Sequence, residues 1–275
     1  MTEEPHEQLR AALLEPNVGI AFAWEHKALN ALDLGPAQLC RGPLYRFQTG
    51  IGKALHALEV KRDGCSAWPS TLISNSTGYA RLMDRLYVPI PRDRVTTIAV
   101  FDACASAYDL LIDAERNIRN ISRLLNVIEA GSPSRDAVLR VLDFGCGTGL
   151  SLQAVARQAR PWRFRLVGLD ASPHMRAIAG SRGLEVVMGD EVQAYDGVFA
   201  SYVLHGVLGP YDLRWIASVL SDKGVFAGNW LHGDDNVMQS FLEALGRRRQ
   251  GRGATLKDPA LWPRDPMITF LVDEG

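Results

Sequence analysis

Val141-Leu-Asp-Phe-Gly-Cys-Gly-Thr-Gly149 is the stretch that decides the architecture of the chain around it. Its first half is an apolar run that suits a buried strand. It passes directly into glycines at alternate positions, Gly145, Gly147 and Gly149. Glycine adopts positive φ readily and lets another group approach the bare backbone, so the pattern reads as a strand, a tight turn and the start of a helix. The first turn of that helix is expected to present unpaired N–H groups at the same spot. A nucleotide-type ligand is therefore expected above the carboxyl end of this strand.

Outward from the loop, short β-rich runs alternate with helical ones. Strands are predicted over Leu139–Phe144, Phe164–Leu169, Leu184–Met188, Val198–Ser201 and Val225–Leu231. Helices are predicted over Leu150–Arg160, Pro173–Gly180, Leu213–Leu220 and Val237–Arg248. Such alternation implies parallel strands joined by right-handed crossovers, with helices on both faces. Upstream, Glu7–Ala130 reads mostly helical: Leu39–Leu58 has apolar positions at helical spacing, and Ser66–Ser76 reads as a loop. Thr96–Ala130 forms one long helical pattern with Ile118, Ile121, Leu124, Leu125 and Ile128 on its stripe, stopped by Gly131. The predicted fold class is α/β, a Rossmann-like doubly wound, mostly parallel sheet with a helical N-terminal extension. Residues 1–95 form the extension, as a lid or dimerisation element, and residues 96–275 the ligand-binding domain.

The ligand is narrowed by detail. A dinucleotide loop carries glycines at its first, third and sixth positions, whereas the sixth position here is Leu150 and the pattern is Asp-x-Gly-x-Gly-x-Gly. Leu166-Val-Gly-Leu-Asp-Ala-Ser-Pro-His-Met175 puts Asp170 at the end of the second strand, close to the ~20-residue offset of a ribose-binding acid. A carboxylate there can accept from both ribose hydroxyls. Gly183-Leu-Glu-Val-Val-Met-Gly-Asp-Glu191 ends the third strand in acids. Tyr195-Asp-Gly-Val-Phe-Ala-Ser-Tyr-Val-Leu-His205 sets Ser201 at the end of the fourth strand with His205 just beyond, and an imidazole titrating near roughly 6.5 suits proton transfer.

In this order and spacing the motifs resemble the class I S-adenosylmethionine-dependent methyltransferases of the small-molecule type. The resemblance covers roughly residues 96–275 and nothing before them. It implies S-adenosylmethionine as cofactor and no metal. The loop of Asp143, Gly145, Cys146 and Gly147 would face its methionine part, with Asp143 holding the ammonium through the loop and water. Asp170, with Ala171, would take the ribose, Met175 would lie against the adenine, and Asp190 or Glu191 would bond the adenine amino group. Ser201 would lie beside the transferable methyl, with His205 as general base. Tyr108, in Phe101-Asp-Ala-Cys-Ala-Ser-Ala-Tyr-Asp109, resembles a tyrosine that closes over the cofactor. Core packing is the other reading of Met175, a helix anchor that of Tyr108, and an exposed loop acid that of Asp190. His205 departs from the family pattern, since Gly206-Val207 follows it where the O-methyltransferases usually have Asp-Trp; packing is its other reading. Two further functions share these motifs: a catalytically silent subunit that binds S-adenosylmethionine, and an enzyme of this fold that catalyses a reaction other than methyl transfer.

Bulk composition bounds the partners. The 275 residues are 47% hydrophobic and 22% charged with a formal net charge of −1, ordinary for a soluble globular protein and without the basic footprint of a nucleic-acid binder. A small-molecule acceptor is favoured, and no Asn-Pro-Pro-Tyr-like run follows the fourth strand. Arg247–Arg249 with Arg252 is a short basic run of the kind found at solvated helix ends. Cys40, Cys65, Cys104 and Cys146 make no CxxC pair and no zinc spacing. No apolar run approaches the ~20 residues of a membrane span, and the polar N-terminus is no signal peptide, so a cytoplasmic location is expected. At the other end, Asp265-Pro266 reads as an N-cap and first helical position, and Gly275 as a helix end, which predicts a helix over Pro266–Glu274. The sheet would then stop at five parallel strands. The open edge of the fifth would be covered by the N-terminal region or by another subunit, the second case being a homodimer.

Overall fold

Strand pairing organises the N-terminal part of the chain in the computed structural model, which describes residues 4–34, 39–63, 67–74, 78–133, 136–189, 193–203, 210–229, 253–257 and 267–272. The chain divides into two compact units, Met1–Asp113 and Ala114–Gly275. In the first unit α1 (Glu4–Leu14), β1 (Val18–Ala23), α2 (His26–Asn30), β2 (Leu32–Asp33), β3 (Leu39–Gln48), β4 (Ala54–Arg62), β5 (Thr71–Ser74), β6 (Gly78–Met83) and β7 (Leu86–Pro89) precede α3 (Arg94–Cys104) and α4 (Tyr108–Leu111). The strands make one sheet in the order β2-β5-β6-β7-β1-β4-β3, antiparallel except where β1 meets β7.

A helical N-terminal segment is present as α1, but the helical reading of the residues beyond it is corrected. Leu39–Leu58 is the β3–β4 hairpin, turned where Thr49 N–H donates to the Lys53 carbonyl at 3.1 Å. The loop-like Ser66–Ser76 contains β5. The central strands β1 and β4 are largely buried on both faces, whereas the edge strand β3 alternates buried and exposed residues over Leu44–Gln48. Tyr45, Phe47, Leu55 and Ala57 pack with Leu9, Leu13 and Val100 on one side, while Leu58 and Val60 pack with Leu29, Tyr79 and Tyr87 on the other. Apolar residues therefore fall on both sides of a strand and blur the two-residue alternation that marks a half-buried one.

The second unit follows the predicted alternation. Its elements are α5 (Ala114–Gly131), β8 (Leu139–Phe144), α6 (Ser151–Ala156), β9 (Phe164–Leu169), α7 (Pro173–Ser181), β10 (Glu185–Val186), β11 (Tyr195–Ala200), α8 (Pro210–Val219), β12 (Leu220–Asn229), β13 (Gly253–Lys257) and β14 (Met267–Val272). The sheet order is β10-β9-β8-β11-β12-β14-β13, a Rossmann-like doubly wound arrangement. The long helical pattern over Thr96–Ala130 is broken into α3, a 3-10 turn at Ala105–Ala107, α4 and α5. Of its stripe, Ile118, Ile121, Leu124, Leu125 and Ile128 are buried along α5. The predicted helix over Val237–Arg248 lies outside the described residues.

The C-terminal expectation is overturned. Met267–Val272 is β14, antiparallel to β12 (Val225↔Leu271) and to β13 (Gly253↔Val272). The β preference of Ile268, Thr269, Phe270 and Val272, with a strand waiting on either side, prevails over a local helix-start signal. The sheet thus has seven strands, β12 has no open edge, and the motive for covering that edge with a second subunit disappears. Strand order reverses between β8 and β11, which opens a crevice at their carboxyl ends, the place where doubly wound sheets bind ligands. Among the described residues no single helix is long and apolar enough to cross a membrane.

Candidate active site

β8 delivers the chain into the glycine loop at the reversal point. Gly145, Gly147 and Gly149 have φ of 77°, 51° and 85°, all in the left-handed region that disfavours side chains. A Cβ on Gly145 would stand 2.4 Å from Val203 Cγ2, and one on Gly149 would stand 3.2 Å from Ala179 Cα in α7. The first glycine thus admits the segment after β11, and the third admits α7. The loop's N–H groups are turned inward. Gly145 and Cys146 both donate to the Leu169 carbonyl, at 2.7 and 3.0 Å, and Gly147 donates to Asp170 Oδ2 at 2.9 Å. Gly149 donates to Cys146 O, and Leu152 and Gln153 in the first turn of α6 donate to Gly149 and Leu150. The expectation of unpaired donors is therefore corrected for Gly145, Cys146, Gly147, Gly149, Leu152 and Gln153. A pyrophosphate would require these N–H groups, and the protein already uses them.

Two acids dominate the electrostatics. Asp143 is 2% exposed on β8. Burial pushes its carboxyl up to about 7; the Ser151 hydroxyl pulls the other way, and the nearby Asp170 adds to the rise. Asp143 makes no ion pair among the described residues. Asp170, half-buried at the end of β9, accepts from Gly147 N–H through Oδ2 and from Ser172 N–H through Oδ1, at 2.9 Å each. Its carboxylate is thereby fixed in orientation while keeping further lone pairs for hydroxyl donors. Ser172 caps α7 by accepting from Met175 N–H at 3.0 Å, with Pro173 at the first helical position. Met175 is buried and Ala171 exposed. The Cys146 thiol is buried against β9, where a Cβ on Gly168 would come within 2.9 Å of its sulfur, and burial pushes the thiol well above its ordinary range.

The end of β11 holds a polar cluster that includes residues the sequence reading did not single out. Ser201 Oγ donates to Asn117 Oδ1 at 2.8 Å and accepts from Asn120 Nδ2 at 2.9 Å, both from α5. Next, Tyr202 has φ 59°, rare for a bulky residue, with the Arg116 guanidinium 5.8 Å from its ring centre. Asn120 is 1% exposed among Ile118, Ile121 and Leu124, so an amide within an apolar helical stripe was the available signal. Asp190, Glu191 and His205 lie outside the described residues. Tyr108 belongs to the first unit, its ring edge-on to Phe101 at 6.0 Å.

The donor set fits S-adenosylmethionine. The cofactor carries an ammonium and a sulfonium, cations that suit a crevice with two neighbouring acids, and a ribose diol that suits a fixed carboxylate. A methyltransferase domain family model matches residues 111–259. None of the curated proteins compared with the chain matches it. Among solved structures, a TehB-like S-adenosylmethionine-dependent methyltransferase of Corynebacterium glutamicum is 18% identical over 56% of this chain and 87% of its own, with a TM-score of 0.42. The magnesium protoporphyrin IX methyltransferase of Synechocystis, solved with bound S-adenosylmethionine, is 16% identical over 58% of this chain and 84% of its own, with a TM-score of 0.41. An S-adenosylmethionine-dependent methyltransferase of Aquifex aeolicus is 14% identical over 59% and 100%, with a TM-score of 0.41. With the family match spanning more than half of its length, this chain belongs to the methyltransferase domain family and is a class I S-adenosylmethionine-dependent methyltransferase.

Proposed function

We propose that the protein transfers the methyl group of S-adenosylmethionine to a small-molecule acceptor. The observation that carries this reading is the glycine loop: the N–H groups of Gly145, Cys146, Gly147 and Gly149 are satisfied internally and the loop lies beside two acids, which favours a cationic ligand over a phosphate. When bound, the cofactor supplies a methyl already made electrophilic by its sulfonium. The protein then has to align donor and acceptor and exclude water. In this reading Asp143, through the Gly145–Gly147 loop, holds the ammonium, and Asp170 with Ala171 takes the ribose hydroxyls. Met175 and Asp190 or Glu191 bound the adenine, and Ser201 borders the methyl. His205 takes the acceptor's proton, and Tyr108 keeps the closing role that the resemblance gives it. A formal net charge of −1 supports a small acceptor over nucleic acid, and the same composition supports a cytoplasmic location.

The test is calorimetry with S-adenosylhomocysteine, followed by labelled methyl transfer to a panel of small acceptors. Asp170→Ala removes the acceptor of two backbone N–H groups and of the ribose, and is expected to cost about 2–4 kcal/mol of affinity. Unchanged affinity in both Asp170→Ala and Gly147→Val sinks the site. Tight binding without any methylated product favours the silent subunit or a different reaction. His205→Ala is expected to reduce turnover far more than cofactor affinity, and a fully active variant removes His205 from the chemistry.

A further inference from the structure

We infer that Asn117 and Asn120 of α5 are positioning residues for cofactor binding, acting through Ser201 on the wall of the glycine loop; this rests on the loop being the cofactor site. Ser201 has one hydroxyl proton, and it is committed to Asn117 Oδ1, while Asn120 Nδ2 fills one of its acceptor positions. The side chain is therefore held from two sides by one helix. Arg116, Asn117 and Asn120 span a single turn of α5, so three side chains on one face grip two consecutive residues, Ser201 and Tyr202.

The grip has a reason. Tyr202 sits at φ 59°, a conformation that persists only where its surroundings impose it. On its N-terminal side the imposed contact is the asparagine clamp on Ser201. On its C-terminal side Val203 packs against the hydrophobic core of the second unit and against the bare Cα of Gly145. The left-handed residue turns the chain from the clamp into that seat. If the clamp is released, Tyr202 relaxes toward an ordinary conformation, Val203 leaves its seat, and the first glycine of the loop loses its backing. Ser201 thus acts as the fixed end of a lever: it borders the methyl while its hydroxyl proton is held by Asn117.

The experiment is a double-mutant cycle on S-adenosylhomocysteine affinity in the full chain, with thermal unfolding recorded for each variant. Ser201→Ala and Asn117→Ala are each expected to weaken binding by about tenfold. The double variant is expected to be no weaker than either alone, because both act through one hydroxyl. Ser201→Thr, which keeps the hydroxyl, restores the wild-type affinity. Additive losses, or a Ser201→Ala variant that binds as wild type does, overturn the inference. Asn120→Ala extends the cycle only if its unfolding temperature stays near wild type; the half-buried Asn117 and Ser201 carry the test otherwise. Failure of the wild type itself to bind S-adenosylhomocysteine is a different result, and refutes the cofactor site.

Discussion

Glu59 and Asp143 are both carboxylates sunk in a seven-stranded sheet, 5% and 2% exposed, and the protein treats them in opposite ways. Glu59, on β4 of the first unit, accepts a short hydrogen bond from the Tyr45 hydroxyl and has Lys61 Nζ at 3.8 Å. Asp143, on β8 of the second, has no ion-pair partner among the described residues; burial above all, with a smaller push from Asp170 and against the pull of the Ser151 hydroxyl, raises its carboxyl to about 7. A buried charge met by its own neighbours is a structural element. One placed beside a like charge carries an energetic cost that an incoming cation can relieve. The difference fits the cofactor role proposed for Asp143, and substitutions at or beside the two acids and at one glycine of each unit either break the contrast or sharpen it.

The largest effect is expected at Gly145. Alanine there meets Val203 Cγ2 at 2.4 Å and must also hold a φ of 77°. The clash and the strain together are expected to weaken S-adenosylhomocysteine binding by about a hundredfold or more. Val203→Ala in the same chain removes the nearest atom and leaves Val203 Cβ at 3.3 Å, so the double variant is expected to recover part of the loss. Calorimetry of the single and double variants decides; a double variant no better than Gly145→Ala means that strain alone sets the requirement.

Asp143 gives the next effect, through pH. A raised carboxyl favours the fold in its protonated form, so this contribution is complete below the ordinary 3.8 and is lost as pH rises through about 7. A cationic ligand needs the carboxylate, so binding draws the proton off. Affinity for S-adenosylhomocysteine is expected to rise about tenfold between about pH 6 and about pH 8, with proton uptake by the buffer near the lower end. Asp143→Asn is expected to bind weakly with a flat profile. Calorimetry in buffers of different ionisation enthalpy checks both, and a flat wild-type profile removes Asp143 from the binding equilibrium.

The same contrast explains which parts of the molecule were legible in the sequence. In the second unit β8 runs into a glycine turn and β9 into a capped helix, so Leu139–Phe144 and Phe164–Leu169 could be bounded to the residue. The glycine spacing with Asp143 and Asp170 then indicated the ligand class. The first unit has no such punctuation. The β3–β4 hairpin turns tightly and β4 is buried on both faces over Ala57–Val60, so Leu39–Leu58 showed apolar residues at spacings that a helix also satisfies. β14 was missed because its partners β12 and β13 are distant in the chain, and pairing across such distances leaves no local mark beyond β preference. The inward use of the loop's N–H groups and the Asn117–Ser201–Asn120 cluster are likewise long-range facts, made when α5 and β9 come to rest beside β8 and β11.

In the first unit the expected effects are on stability alone. Tyr45→Phe removes the donor to Glu59 and leaves a buried carboxylate less satisfied. It is expected to destabilise the fold by about 1–3 kcal/mol, seen in denaturant or thermal unfolding. The affinity of S-adenosylhomocysteine, measured where the variant is folded, should be unchanged. A variant that keeps its stability but loses affinity would place Glu59 in the functional machinery and break the contrast.

The smallest effect is expected at Gly52, which shares its φ of 77° with Gly145 but has nothing within 4 Å of where a Cβ would stand. The two positions thus separate backbone strain from collision. Alanine at Gly52 has to hold a left-handed conformation, which costs roughly 1–2 kcal/mol. Part of that is offset because alanine restricts the unfolded chain more than glycine does, by about 0.4–1 kcal/mol. The turn makes two local backbone hydrogen bonds, Gly52 N–H to Thr49 O and Thr49 N–H to Lys53 O, both 3.1 Å, and a third from the Thr49 hydroxyl to Lys53 O at 2.6 Å, and the substitution removes none of them. A net loss of about 1 kcal/mol or less is expected in equilibrium unfolding, with unchanged S-adenosylhomocysteine affinity. Because φ is the same at both glycines, whatever Gly145→Ala loses in equilibrium unfolding beyond the Gly52→Ala value measures the pressure of Val203 on the cofactor loop. Equal losses at the two sites would show that Val203 yields freely, and the backing assigned to it would have to be withdrawn.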